Sequence, residues 1–245
     1  MQNSAIGDGI LLFPVMAALR KAYGHGIAWG GRQDVGELAF AAGLAVNYRP
    51  SYRDGYDLVL NFNQPLPEAS KARYGCPVTD MSIDGRAAMY LPSQALRRLG
   101  LPPEIDFGLA GLRMGPGDGV ALITGASTPV KVWPEDRWMA MAKALPGQLV
   151  LPSDNDGGLA NRIAGSAPGR ATVIRGSLLA VAHALGQCRA YVGMETGLSH
   201  LAHALGLPGA WLWAFQQAIA YQPGAPAKVL TLAATPEDVK GALNL

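Results

Sequence analysis

From position 120 onwards the chain alternates short apolar runs with helical patterns, and that alternation leaves few folds open to it. Residues 120–124 (VALIT), 148–151 (QLVL), 172–174 (TVI), 191–192 (YV) and 210–213 (AWLW) read as buried strands. Between the first four of them, residues 134–144, 156–164 and 178–185 carry apolar side chains at helical spacing. Strands separated by helices of this length are βαβ units, which build a parallel sheet covered by helices. The second half is therefore expected to be a small doubly wound α/β domain.

The first half is less regular. Ile10, Leu11, Val15, Ala18, Leu19 and Ala22 share one helical face, with Asp8 placed ahead as a natural N-cap and Gly24 closing the helix. Residues 27–29 read as a short strand, 35–43 as a helix, 56–62 (YDLVLNF) as a buried strand and 92–100 as a helix carrying Arg97 and Arg98; 68–89 shows no period. Five glycines and Pro116 crowd residues 108–119, the composition of a linker. A boundary near 115 is expected, giving domains of 1–115 and 116–245.

Composition narrows the classes of function. With 49% hydrophobic and 16% charged residues the chain is an apolar-rich globule without a disordered tail. A net charge of +2 argues against a dedicated nucleic-acid binder, which needs a basic face. Cys76 and Cys188 are too few for a disulfide scaffold or a paired-cysteine metal site and suit a reducing compartment. No basic leader precedes the apolar stretch 10–19, which is too short to span a bilayer, so a cytoplasmic protein is expected, or one at the inner face of the membrane.

Residues 190–208 read as a strand, a polar turn and the first turns of a helix, the setting in which α/β proteins hold anions. Thr196 and Gly197 fall at the helix start, where backbone N–H groups lack helical partners and the helix dipole favours negative charge; an ordinary strand-to-helix connection is the alternative. His200, one turn in, is able to reach a ligand there, whereas His183 and His203 read as polar-face or packing residues. No third ligand stands at a spacing that would make His200 and His203 a zinc site.

Lys131 lies between the second half's first strand and first helix, on the sheet edge where such folds bind ligands. One cation and one helix start on one edge suit a diphosphate; taken alone, Lys131 reads equally well as a solvated surface lysine. Residues 119–127 (GVALITGAS) open like a short-chain dehydrogenase, but Thr128, Pro129 and Val130 stand where a dinucleotide turn needs glycine, so no nicotinamide cofactor is expected. Asp154 and Asp156 have the D-x-D spacing that holds Mg²⁺ or Mn²⁺ on a diphosphate. Residues 153–156 are also preferred turn and helix-cap types, and the cap is the favoured reading.

Together, Gly7-Asp8 with the apolar run 10–21, the segment 131–138 (KVWPEDRW) and 193–202 (GMETGLSHLA) resemble, in order, the motifs of glycosyltransferase family 9, the ADP-heptose:lipopolysaccharide heptosyltransferases. The resemblance implies a GT-B fold of two Rossmann-like domains facing a cleft, an acceptor-side domain followed by a nucleotide-sugar domain. It also implies inverting sugar transfer without a required metal or other cofactor. The implied partners are a nucleotide-sugar donor, with an ADP-sugar favoured, and a glycan, glycolipid or protein acceptor. It places the catalytic aspartate at Asp8, the donor-phosphate lysine at Lys131 and donor contacts at Thr196, Gly197 and His200. Glu195 stands where the family commonly has aspartate, and Asp154 and Asp156 are both candidates for an acidic donor contact. Only residues 1–6 precede Gly7, so a shortened first domain lacking its first strand is expected. A nucleotide-sugar-binding protein without turnover is the alternative function.

Overall fold

Proline 14 decides how the chain begins. Without an N–H, Pro14 cannot continue a helix arriving from residue 10, and it is accommodated instead in the first turn of a new one. In the computed structural model, the expected single helix is accordingly two: α1 (Ile6–Ile10) and α2 (Phe13–Tyr23), separated by a turn at Leu11 and Leu12. Asp8 therefore does not cap the long helix. It is the third residue of α1, and its carboxylate accepts a hydrogen bond from the Ala5 N–H at 3.2 Å. Gly24 closes α2 with φ of 86°, a conformation glycine adopts without strain.

The structure describes residues 5–245 apart from 25, 49–54, 63–65, 82–91, 116, 127, 154–156 and 215–225. Positions 1–4, on which the missing-strand expectation falls, lie outside the described residues. The chain divides into two compact units, Met1–Gly108 and Leu109–Leu245.

In the first unit, α3 (Gln33–Ala41) packs on α1 at close range: a Cβ at Gly9 would come within 2.8 Å of Val35. Trp29, 7% exposed, fills the adjacent space, edge-on to Phe13, with its indole N–H donated to the Arg32 carbonyl at 2.8 Å. The expected strand at 27–29 is a single parallel bridge, Ala28 to Asn47, because Gly30 and Gly31 follow at once. Strand β1 (Val59–Asn61) is shorter than expected and only half-buried. It pairs in parallel with β2 (Val78–Asp80), a strand hidden in the aperiodic region, which also holds the one-turn helix α4 (Glu68–Lys71). Helix α5 (Pro92–Arg98) packs against α2 over Val15, Met81, Ala95 and Leu96.

The second unit is a six-stranded, fully parallel sheet of β3 (Gly119–Ile123), β4 (Leu149–Pro152), β5 (Ala171–Ile174), β6 (Cys188–Met194), β7 (Gly209–Trp213) and β8 (Ala227–Thr231). Their spatial order is β5-β4-β3-β6-β7-β8. The chain therefore starts mid-sheet, runs to one edge, returns, and fills the other side. Helices α6 (Glu135–Ala144), α7 (Gly157–Gly165) and α10 (Pro236–Leu243) share one core with alternate strand residues, among them Val120, Leu122, Val192, Met194, Ala210 and Leu212. Helices α8 (Leu178–Gly186) and α9 (Gly197–Ala204) pack together on the opposite face, α9 against β6 and α8 against β4. Strand β8 and α10, not anticipated, complete the unit; α10 begins with a reciprocal cap between Thr235 and Asp238. Among the described residues no helix is long and apolar enough to cross a membrane.

On the α8/α9 face, large and small residues alternate across β6 and β7. Tyr191 lies opposite Gly209, and Gly193 opposite Trp211. Tyr191 is fully buried, and a Cβ on Gly209 would run into its ring. Gly209→Ala is expected to destabilise the protein by about 1–3 kcal/mol, the usual cost of overfilling a packed core. Urea unfolding checks this, with a lowered midpoint and an unchanged slope as the expected result.

Candidate active site

Two neighbouring strands, β3 and β6, send their connections to opposite faces of the sheet: β3 leads to α6 and β6 to α9. In open parallel sheets this divergence leaves a crevice at the carboxyl ends of the strands, where ligands bind. Lys131 sits on the first of those connections, and Glu195, Thr196, Gly197 and His200 sit on the second. The register pairs Ile123 with Gly193, so the two connections leave the sheet at the same height.

Lys131 is held from both sides. Pro129 starts a one-turn 3₁₀ helix, Pro129–Lys131, in which the Lys131 N–H is donated to the Thr128 carbonyl at 3.1 Å. Two residues on, Trp133 is fully buried, edge-on to Trp138 at 5.0 Å, with its indole N–H donated to the Ala234 carbonyl. A loop pinned by a buried tryptophan keeps its lysine in a narrow region. There the Lys131 Nζ lies 2.9 Å from Glu195 Oε1, and both side chains are about four-fifths buried. The other carboxylate oxygen, Oε2, is buried with no hydrogen-bond partner among the described residues. Lys131 is thus the charge that compensates Glu195.

Thr196 caps α9 as the sequence leads one to expect: its backbone is extended and its hydroxyl accepts from the Leu198 N–H at 3.2 Å. That bond satisfies the second helical N–H; the Gly197 N–H, at the first position, has no helical partner, and such groups are where helix starts hold anions. The helix approaches β6 closely because Gly193 has no side chain; a Cβ there would meet the Ser199 hydroxyl. Ser199 is fully buried.

His200 projects from the first turn of α9 edge-on to Trp211, ring centres 4.9 Å apart. Burial, then the neighbouring His203 and the Lys131 ammonium, push its pKa from 6.5 down to about 3, so the imidazole is neutral at neutral pH. His203 is 7% exposed against the same indole, with its pKa also lowered by burial, and is a packing residue.

Lys131, Glu195, Thr196, Gly197 and His200 are therefore gathered on one sheet edge, and Thr124, buried at 3% exposure, directly follows β3 on that edge. Asp154 and Asp156 lie outside the described residues. Among the described residues no three His, Cys, Asp or Glu side chains gather as a metal site. Asp8, in the first unit, is half-buried in α1. The Lys131–Glu195 ion pair and the Ser199, His203 and Trp211 layer beneath the helix were not foreseen. The only sequence signal for the layer is the AWLW strand, whose alternate residues Trp211 and Trp213 share the α9 face.

The histidine environment fixes a pH dependence. Above pH 6.5 His200 is neutral in both folded and unfolded chains and adds no dependence. Below it the unfolded chain takes up a proton that the folded chain refuses until about pH 3. Stability should therefore fall as pH drops below 6.5, with a slope approaching about 1.4 kcal/mol per pH unit for one histidine. Urea unfolding between pH 7.5 and 5, above the range where carboxylates titrate, should show this fall, and His200→Asn should reduce it to the share that buried His203 supplies.

Comparison with known proteins places this geometry. The family model of glycosyltransferase family 9 (heptosyltransferase) matches residues 114–238. Among solved structures, the Escherichia coli heptosyltransferase WaaC with ADP-2-deoxy-2-fluoro heptose is similar at 17% identity and a TM-score of 0.76, over 99% of this chain and 97% of that one. The E. coli ADP-heptose lipopolysaccharide heptosyltransferase II is similar at 18% identity and a TM-score of 0.74, over 98% and 95%. A family 9 glycosyltransferase from Veillonella parvula is similar at 15% identity and 0.76, over 98% and 94%. These likenesses show the fold, an α/β GT-B-like architecture with parallel sheets. No curated protein sequence matches the chain at a significant level.

Proposed function

The chain belongs to glycosyltransferase family 9, and on that premise we propose that it transfers a sugar, with inversion at the anomeric carbon, from a nucleoside-diphosphate donor to a glycan, glycolipid or protein acceptor of the cell envelope. The observation that carries this reading is the Lys131–Glu195 pair set beside the open start of α9, where β3 and β6 part. An ammonium and a helix N-terminus on one edge are a seat for a diphosphate. The bound ADP-heptose analogue of WaaC supports an ADP-sugar, heptose or a relative, as the donor.

In the proposed reaction an acceptor hydroxyl attacks the anomeric carbon as the bond from that carbon to the diphosphate oxygen breaks. The proton of the attacking hydroxyl passes to the Asp8 carboxylate acting as general base. The leaving diphosphate gains negative charge, which Lys131 and the Gly197 N–H stabilise, with Thr196 fixing the helix start and neutral His200 offering a further hydrogen bond. Asp154 and Asp156, which follow β4 in the sequence, are assigned to the donor side. The charge on the leaving group is met by protein groups, and the reaction is proposed to need no metal. Of the two domains expected from the sequence, 1–115 is assigned to the acceptor and 116–245 to the nucleotide sugar.

Asp8→Asn keeps the size of the side chain and an oxygen able to accept the Ala5 N–H, so the fold should be retained. Transfer should fall by about 10²- to 10⁴-fold, the usual contribution of a general base, with donor affinity nearly intact. Product release measured with purified protein, ADP-heptose and candidate acceptors tests this. An Asn variant as fast as the parent would make Asp8 a structural residue only, and donor binding without transfer to any acceptor would favour a binding protein. Exhaustive chelation should leave turnover unchanged; loss with EDTA and recovery with Mn²⁺ or Fe²⁺ would overturn the metal-free reading.

A further inference from the structure

Lys131 has a resident anion. Any phosphate that comes to its ammonium meets a carboxylate already 2.9 Å away, in surroundings where both side chains are about four-fifths removed from water. Because Oε2 of Glu195 has no partner among the described residues, the carboxylate depends on Lys131 for compensation. The ammonium has three N–H donors and can hold a phosphate oxygen beside the carboxylate, but the phosphate then meets a neutralised pair rather than a full positive charge. We propose that Glu195 is an internal competitor for the phosphate seat, a positioning residue that acts through Lys131 to keep the affinity for the product nucleoside diphosphate low and so speed its departure. This rests on the reading of Lys131 as the donor-phosphate lysine.

The effect falls unequally on donor and product. A nucleoside diphosphate still carrying its sugar brings hydroxyl groups, one of which can donate to Oε2 as Lys131 turns to the phosphate. The bare diphosphate brings none on that side, so Glu195 is left with only the ammonium, which it must then share. Product release limits turnover in many enzymes, and a built-in competitor for the product acts directly on that step.

The inference makes a prediction that damage to the fold cannot imitate, because it is a gain of affinity. Calorimetric titration of the full chain with ADP, and with inorganic pyrophosphate as a probe lacking base and sugar, should show Glu195→Gln binding both about three- to tenfold more tightly than the parent. Stopped-flow displacement should show the gain as slower dissociation. Lys131→Ala should bind both more weakly. If Glu195→Gln does not fold, Glu195→Asp serves: the carboxylate drawn back by one methylene loosens the pair, and ADP should bind more tightly than to the parent. Equal or weaker binding by the glutamine variant, or by the aspartate variant in its place, overturns the competitor while weakened Lys131→Ala leaves the phosphate seat standing. Unchanged binding by Lys131→Ala removes the seat, and the competitor with it.

Discussion

Crossovers between parallel strands are right-handed, so a chain that starts mid-sheet must send its first and fourth connections to opposite faces. Here that constraint separates the loop after β3 from the loop after β6 at the strands' carboxyl ends. Everything at the candidate site follows from it. Lys131 belongs to one loop and Glu195 to the other, and their ion pair spans the gap that the topology leaves. The buried Trp133 behind the first loop and the close seat of α9 on β6 behind the second keep the gap narrow enough for the pair to form.

Charge at that edge is held in balance. One ammonium, one carboxylate and a helix N-terminus lie within a region from which most water is removed, and a histidinium would add a further positive charge there. Burial and the nearby ammonium keep His200 neutral. The edge accordingly carries no large positive charge of its own, which would bind phosphate indiscriminately. Cys188, at the opposite end of β6, has its thiol pushed up to about 11 by burial and takes no part in this chemistry.

The second unit was legible in sequence because a strand buried on both faces is an uninterrupted apolar run, and because Thr196 and the residues around Glu135 mark helix starts by type. Strand β8 escaped for the converse reason. It lies at the sheet edge, where Lys228 and Val229 meet solvent, so its apolar run is broken; the Thr-Pro-Glu-Asp start of α10 was the available sign. In the first unit β2 has three residues, too few to carry a period. Cap preference alone puts Asp8 ahead of one long helix; the missing N–H of Pro14 splits that helix and leaves Asp8 inside α1. Lys131 and the helix start could each be read from residue type and position along an edge. Their link through Glu195 could not, since it joins residues 64 apart and depends on the register of β3 against β6.

The bare backbone of Gly193 bears on how such a site changes over time. Ser199 occupies the space a side chain would need, so the distance between α9 and the sheet is set by the absence of one carbon atom. Gly193 precedes Glu195 by two residues and supports the helix start from below. A lineage that acquired a methyl group there would lift the helix and shift Thr196, Gly197 and His200 together as a rigid body. The geometry of this sheet edge is thus inherited from its packing layer, and divergence in that layer moves the edge's residues without replacing any of them.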